Sequence, residues 1–70
     1  MTKVRFLQDV VAECAAGGTF ICREGDAWEL EEYVRDNYGT FVVVNIAHIG
    51  ACRIDNPTED EIVFLEKVEV

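Results

Sequence analysis

Residues 23–33 read REGDAWELEEY, and this stretch of the sequence decides the fold. It begins with a turn signal, Gly25-Asp26, and continues with a mixture of apolar and acidic residues. A second turn signal, DNYG at residues 36–39, leads into the apolar run FVVVNI at residues 41–46. Turn, strand, turn and strand in this order predict a small, strongly bent β-sheet, because glycine, asparagine and aspartate favour turns between strands.

Segments on both sides of this stretch extend the prediction to a mainly β chain. Further strands are expected at residues 4–10, 51–54 and 62–70, where β-branched or aromatic residues recur. Residues 57–61 are expected to form a turn or a single helical turn, since Pro57 cannot continue a strand. The core enclosed by these strands is predicted to contain Phe6, Trp28, Leu30, Val43, Ile54 and Phe64.

Two segments also carry helical signals, so the sequence leaves an α+β fold open as an alternative. Apolar residues within residues 5–16 recur at helical spacing, and a glycine pair follows them as a stop signal. Asp26, with Glu29 three residues later, resembles a capping box at the start of a helix over residues 26–38. Gly39 is in the position of a C-cap for this helix. This alternative has helices near residues 5–16 and 26–38.

The order of these features resembles the layout of small bacterial and phage SH3-like β-barrel proteins. In that layout an opening strand leads to a long excursion, a Gly-Asp turn, a hairpin, a short strand and a single helical turn before the last strand. Here Gly25-Asp26 is the Gly-Asp turn, and residues 28–33 and 41–46 are the hairpin. The resemblance implies a small five-stranded barrel that forms one domain over residues 1–70. It implies no particular activity, because this family is functionally diverse.

The net charge of the chain is −8, from fourteen acidic and six basic residues. Because phosphate binding depends on clustered lysine and arginine, this charge argues against direct binding to nucleic acid or to an anionic membrane. The acidic residues cluster near residues 29–36 and 59–61, where they form either a solvated surface or a docking face for a basic protein partner. The partner-binding residues predicted from the first cluster and the turn after it are Glu29, Glu31, Glu32, Tyr33, Asp36 and Tyr38.

The cysteines and the single histidine give no support to a metal or cofactor site. Cys14, Cys22 and Cys52 lack Cys-x-x-Cys spacing, and only His48 could complete a zinc set. We therefore predict no metal and no cofactor, with the cysteines as small, partly buried apolar residues and His48 as a partly buried structural residue. Three cysteines cannot all pair within one chain, which favours a reducing compartment and a cytoplasmic location. No apolar run approaches the roughly 18 residues of a membrane span.

The sequence predicts a protein-binding function and not catalysis. It contains no serine, and the glycine pair at residues 17–18 lacks the lysine and the spacing of a phosphate-binding loop. The expected function is that of a small, acidic, non-catalytic module that docks on a basic partner surface. Two alternatives stay open: an inhibitor of a nucleic-acid-binding protein encoded by a phage or mobile element, and a small oligomeric enzyme with a site between subunits. Assembly as a homo-oligomer would add to the limited surface that so short a chain can bury.

Overall fold

The computed structural model describes residues 2–66, which form seven β-strands. The strands are β1 (Thr2–Phe6), β2 (Val10–Cys14), β3 (Thr19–Cys22), β4 (Ala27–Asp36), β5 (Gly39–Ile46), β6 (Gly50–Asp55) and β7 (Ile62–Glu66). They join in one antiparallel sheet with the order β3-β2-β6-β5-β4-β1-β7. The sheet curls into a half-barrel, so that its inner face encloses the core and its outer face is surface.

The prediction of a mainly β fold is confirmed, but residues 2–66 form seven strands instead of five. The opening strand expected at residues 4–10 is divided into β1 and β2, because the chain bends at residues 7–8 between them. The short segment Thr19–Cys22 is a further strand, β3, which pairs with β2. The strand expected at residues 62–70 is observed as β7 up to Glu66, and its remainder lies outside the described residues.

Neither of the two alternative helices forms, and the described part of the chain contains no helix. Residues 5–16 span the end of β1 and all of β2, and residues 26–38 contain β4. The glycine pair after β2 does not end a helix: Gly17 and Gly18, at φ of 105° and 81°, form the turn of the β2–β3 hairpin. Pairing between strands therefore outweighs the local helical signals of both segments.

The single helical turn expected at residues 57–61 is also wrong. Thr58 and Glu61 close a hydrogen-bonded turn: the Glu61 N–H donates to the Thr58 carbonyl, and the Thr58 N–H donates to the Glu61 carboxylate, both at 3.0 Å. The next residue, Ile62, already pairs with Phe6 of β1. Because strand pairing begins immediately after the turn, the turn has no room to continue as a helix.

The core lies on the inner face of the curled sheet and is formed by alternate residues of its strands. Of the predicted core residues, Phe6 and Ile54 are buried, whereas Trp28 and Leu30 are half-buried and pack against the core. The buried side chains are Val4, Phe6, Val10, Ala12, Cys22, Val42, Val44, Ile46, Cys52, Ile54 and Ile62.

The prediction that Val43 and Phe64 belong to the core is wrong. In β5 the fully buried side chains are Val42 and Val44, so the alternation of the strand places Val43 on the outer face. Phe64 does lie on the inner face, but 41% of its surface is exposed. Its strand, β7, is the last in the sheet order and has a neighbouring strand on one side only within residues 2–66. The Phe64 ring is therefore covered on one side.

The prediction for the cysteines is confirmed, because all three are free and are buried or half-buried. The prediction for His48 is wrong: it is exposed, in the turn at residues 47–49 between β5 and β6. Its φ of 67° is left-handed, a conformation that histidine adopts more readily than β-branched residues do. Of its apolar neighbours, Ile46 is buried at the end of β5, whereas Ile49 lies in the same turn as His48 and is exposed.

A β-bulge in β4 changes which side chains of this strand face the core. Leu30 is opposite Val44 and Glu32 is opposite Val43, so Glu31 is an extra residue without a partner on β5. A one-residue shift exchanges the two faces of a strand. Glu32 therefore takes the outer face, and Tyr33, which simple alternation from Leu30 places outside, lies on the inner face.

Gly39 at the start of β5 is the glycine whose replacement is expected to cost most. Its φ is 136°, and an added Cβ would lie 2.8 Å from Oδ1 of Asn56. That oxygen accepts a hydrogen bond from the Thr40 N–H at 3.2 Å, so the amide is not free to move away. We expect Gly39→Ala to lower the free energy of unfolding by about 2 kcal/mol, from backbone strain together with the loss of this contact.

Gly18→Ala is the control for Gly39→Ala in urea unfolding. Gly18 also has a positive φ, 81°, but an added Cβ meets no atom within 4 Å. The control therefore carries backbone strain alone, about 1 kcal/mol. Equal losses of stability in the two variants would show that the approach to Asn56 contributes nothing.

Candidate protein-binding surface

The six residues predicted to bind a partner lie on β4 and on the turn that follows it, but the structure does not bring them to one face. Glu29 is half-buried on the outer face, with Lys3 and Asn45 opposite it on the two neighbouring strands. Glu31 is the exposed extra residue of the bulge, and Glu32 lies on the outer face opposite Val43. The acidic residues of β4 are thus distributed along the outer face and the bulge.

The turn between β4 and β5 carries two further predicted residues. The carboxylate of Asp36 accepts a hydrogen bond from the Tyr38 N–H at 2.8 Å, which closes the turn. The Tyr38 side chain is 98% exposed. Asp36 therefore has a local structural role, and Tyr38 extends from the tip of the hairpin without packing against the sheet.

Tyr33 is separated from the acidic residues of β4 because the bulge turns it to the inner face. It lies opposite Val42, and its ring packs against Phe64 of β7 with centroids 5.1 Å apart and planes inclined by 47°. Aromatic pairs at this separation attract each other beyond the effect of buried area alone. β4 and β7 are not neighbours in the sheet, so this pair bridges them across the curled face.

The Tyr33–Phe64 pair forms one wall of a groove of about 410 Å³, a size typical of ligand and peptide sites. The groove is bounded by the β1–β2 connection, the end of β4, the start of β5, the segment before β7, and β7 itself. Its lining residues are Leu7, Tyr33, Thr40, Pro57, Thr58, Glu59, Ile62, Val63 and Phe64. We call this site the Tyr33–Phe64 groove.

Several large apolar side chains that line this groove are partly exposed. Leu7, Tyr33, Val63 and Phe64 are each between 39% and 47% exposed. They account for four of the eight large apolar residues that are exposed in the described part of the chain. Exposed apolar side chains gathered around one groove make it a candidate for contact with another molecule.

Sequence reasoning found Tyr33 but missed the rest of the groove. One signal was present: Ile62-Val63-Phe64-Leu65 has no polar alternation, so β7 carries apolar side chains on both of its faces. An antiparallel sheet commonly packs one face on the core and leaves the other to solvent, so an apolar run without alternation indicates exposed apolar surface. No comparable signal distinguishes Leu7, which joins the groove only because the chain bends after β1.

Hydrogen bonds hold the connection that carries Leu7 in place. The Leu7 N–H donates to the Glu61 carbonyl at 2.8 Å. Two residues later, the Asp9 carboxylate accepts from the Glu24 N–H at 2.9 Å and contacts the Arg23 guanidinium at 3.3 Å. The bond from Glu24 and the charge of Arg23 hold the pKa of Asp9 below its usual range. These bonds tie the connection that carries Leu7 to the turns before β4 and β7.

The charged groups near the groove are mainly acidic. Glu59 lines the groove and Asp60 follows it in the turn, and both are exposed. The outer face of β4 is less uniformly acidic. The positively charged Arg53 lies two strands away, on β6, in line with Glu32 and Val43. Its guanidinium stacks on Phe41 at 3.8 Å and pairs with Asp55 at 2.7 Å. The two acidic regions are the outer face of β4 and the turn that contains Glu59 and Asp60. The second of them, beside the groove, combines negative charge with exposed apolar surface.

Within residues 2–66, no group of three histidine, cysteine, aspartate or glutamate side chains is placed to hold a metal ion. No helix in the same part of the chain is long and apolar enough to cross a membrane. Comparison with protein-family models, with curated proteins and with solved structures gave no match.

Proposed function

We propose that this chain is a small, non-catalytic protein-binding module that holds a short basic segment of a partner protein in the Tyr33–Phe64 groove. The observation that carries the proposal is the partial exposure of an aromatic pair inside an apolar groove that the carboxylate of Glu59 borders. The proposal retains a basic protein as the partner and moves the main contact from the outer face of β4 to the inner face beside β7. The SH3-like layout, the single domain over residues 1–70 and the cytoplasmic location stay predictions.

Binding energy would come mainly from the apolar residues of the groove. Tyrosine is among the residues that contribute most to protein interfaces, because it buries a large rigid ring at a small cost in conformational entropy. Tyr33 and Phe64 present two adjacent rings, and Leu7 faces them from the β1–β2 connection. One large apolar side chain of a partner segment would fill the space between them.

Charge would select the partner and accelerate the encounter. The chain carries a net charge of −8, and its field attracts basic segments at distances up to about a Debye length, roughly 8 Å at physiological salt. Glu59 lines the groove and Asp60 follows it in the exposed turn, and their carboxylates would meet lysine or arginine flanking the apolar anchor. The acidic residues of β4 would contribute to the same field from further away.

The edge of β7 offers a way to align the bound segment. In residues 2–66, β7 pairs with β1 on one side and has no strand on the other. An extended segment added to such an edge forms main-chain hydrogen bonds, while its alternate side chains enter the neighbouring pocket. The groove begins beside Ile62 and Phe64, so a segment aligned along β7 would place one side chain in it.

The test selects ligands from a displayed library of random peptides and measures their affinity by fluorescence polarisation. We expect enriched peptides to carry a large apolar residue flanked by lysine or arginine, and to bind more weakly as salt rises. Tyr33→Ala should weaken binding at least about tenfold, because it removes an aromatic wall of the groove. Tyr38→Ala is the matched control, since Tyr38 is exposed on the same hairpin but does not line the groove. Equal affinity of wild type and Tyr33→Ala would contradict the proposal.

A pair of charge-reversal variants separates the two acidic regions. Glu59→Lys with Asp60→Lys, and Glu31→Lys with Glu32→Lys, change the net charge by the same amount at different places. If the groove binds the peptide, the first variant should lose more affinity than the second. A larger loss in the second variant would place the docking surface on β4.

A further inference from the structure

Cys14 on β2 and Cys52 on β6 lie directly opposite each other in the sheet. Their Sγ atoms are 2.8 Å apart, with the Cys52 thiol donating to the Cys14 sulfur. Both cysteines are free, and 38 positions separate them in the sequence. Sheet pairing therefore brings two distant thiols into direct contact.

The backbone around the two cysteines also suits a bond between them. The next pair along the strands is hydrogen-bonded, because the Ala15 N–H donates to the Ala51 carbonyl at 2.9 Å. Hydrogen-bonded and non-hydrogen-bonded pairs alternate in an antiparallel ladder, so Cys14 and Cys52 form a non-hydrogen-bonded pair. Cα atoms in such pairs are about 4.5 Å apart, within the range that disulfides bridge. Joining the two sulfurs requires little movement of either strand.

We propose that Cys14 and Cys52 are a redox-active pair that forms a reversible intramolecular disulfide on reaction with a low-molecular-weight disulfide. The disulfide joins the β2–β3 hairpin to β6. This is a covalent modification site independent of the Tyr33–Phe64 groove, which lies at the opposite end of the sheet order.

The two cysteines differ in access, which sets the order of the steps. Cys14 lies at the end of β2 and is half-buried. Cys52 is only 1% exposed, and burial, together with its hydrogen bond to Cys14, raises the pKa of its thiol to about 12. Cys14 is therefore the sulfur that the oxidant reaches, and Cys52 is the resolving sulfur.

The reaction balances as two thiol–disulfide exchanges. Cys14, as its thiolate, attacks one sulfur of the small disulfide, which forms a mixed disulfide and releases one small thiol that takes up the Cys14 proton. Cys52 then attacks the Cys14 sulfur, and its proton passes to the second small thiol as that thiol leaves. The protein loses two hydrogen atoms, and the small disulfide is reduced to two thiols.

Cys22 does not take part in this pair. It is fully buried on β3, opposite Val10, and burial, followed by the nearby charge of Asp26, raises the pKa of its thiol to about 11. The pKa of Cys52 is raised as well, but Cys52 lies opposite Cys14, whereas Cys22 has no cysteine opposite it across the sheet, so no mixed disulfide forms beside its thiol. The third cysteine thus provides an internal control that should remain reduced.

The test exposes the full-length chain to glutathione disulfide and follows the product by intact mass and by thiol alkylation. We expect loss of two hydrogen atoms, one alkylatable thiol in place of three after denaturation, and reversal by dithiothreitol. The melting temperature of the oxidised form should rise by about 10 °C or more, because the bond closes a long loop. A stable glutathione adduct, or a disulfide-linked dimer, would overturn the proposal.

The Cys22→Ala variant makes the assignment unambiguous. Cleavage after lysine and arginine leaves Cys14 and Cys22 together in residues 6–23 and Cys52 in residues 36–53. In Cys22→Ala the only crosslinked peptide joins these two fragments through Cys14, and no alkylatable thiol remains. Cys14→Ala changes the partly exposed member of the pair, and should lose both the crosslink and the rise in melting temperature on oxidation. A crosslink that persists in Cys14→Ala would assign the bond to Cys22 and overturn the proposal.

Discussion

Replacement of Phe6 by alanine is expected to leave about half or more of the molecules unfolded in water at room temperature. Phe6 is fully buried at the end of β1, opposite Ile62 of β7. Its N–H donates to the Asp26 carbonyl at 2.9 Å, and its carbonyl accepts from Gly25 at 2.8 Å, so the backbone cannot move inward to fill the space. Removal of a buried phenylalanine costs about 3–5 kcal/mol. This equals the total stability expected of a core in a chain of this length.

Phe64→Ala is the matched control for Phe6→Ala. The two residues have the same side chain and lie on paired strands, but Phe64 is 41% exposed. It should cost about 1–2 kcal/mol and leave a folded protein, because only part of its area is withdrawn from water. Urea unfolding followed by tryptophan fluorescence and by circular dichroism measures both variants. Equal costs in the two variants would show that the core extends over Phe64.

The elements that the sequence predicted correctly are those defined by short local signals. Gly25-Asp26 does precede a strand, and residues 41–46 belong to β5. The division of the opening strand was missed, because Leu7-Gln8-Asp9 contains neither glycine nor proline at the bend. The helical alternatives failed for a related reason. Capping signals act within one turn of chain, whereas the pairing that selects strands joins distant residues.

The candidate site was less predictable than the fold, for two physical reasons. The bulge at Glu31 exchanges the faces of β4, and a run of mixed apolar and acidic residues fits either register equally well. The groove is also assembled from segments that are far apart in the sequence, and most of them carry no polar or catalytic signature. Composition predicted the acidic surface, but only the register of the strands places Tyr33 beside Phe64.

The second large effect on stability is expected when an aspartate is placed on the inner face of β5 instead of its outer face. Val44→Asp should prevent folding, because it places a carboxylate on a fully buried position opposite Leu30 and Cys52. A buried charge without a partner, together with the lost apolar contacts, costs more than about 3 kcal/mol.

Val43→Asp, at the adjacent position, should fold and lose about 1 kcal/mol, mainly through the lower β-propensity of aspartate. Val43 lies on the outer face between Glu32 and Arg53, so repulsion from the first and attraction to the second largely cancel. Far-UV circular dichroism and urea unfolding distinguish the two variants. If Val43→Asp were unfolded and Val44→Asp folded, the register of β5 would be shifted by one residue, and Tyr33 would no longer lie on the inner face beside Phe64.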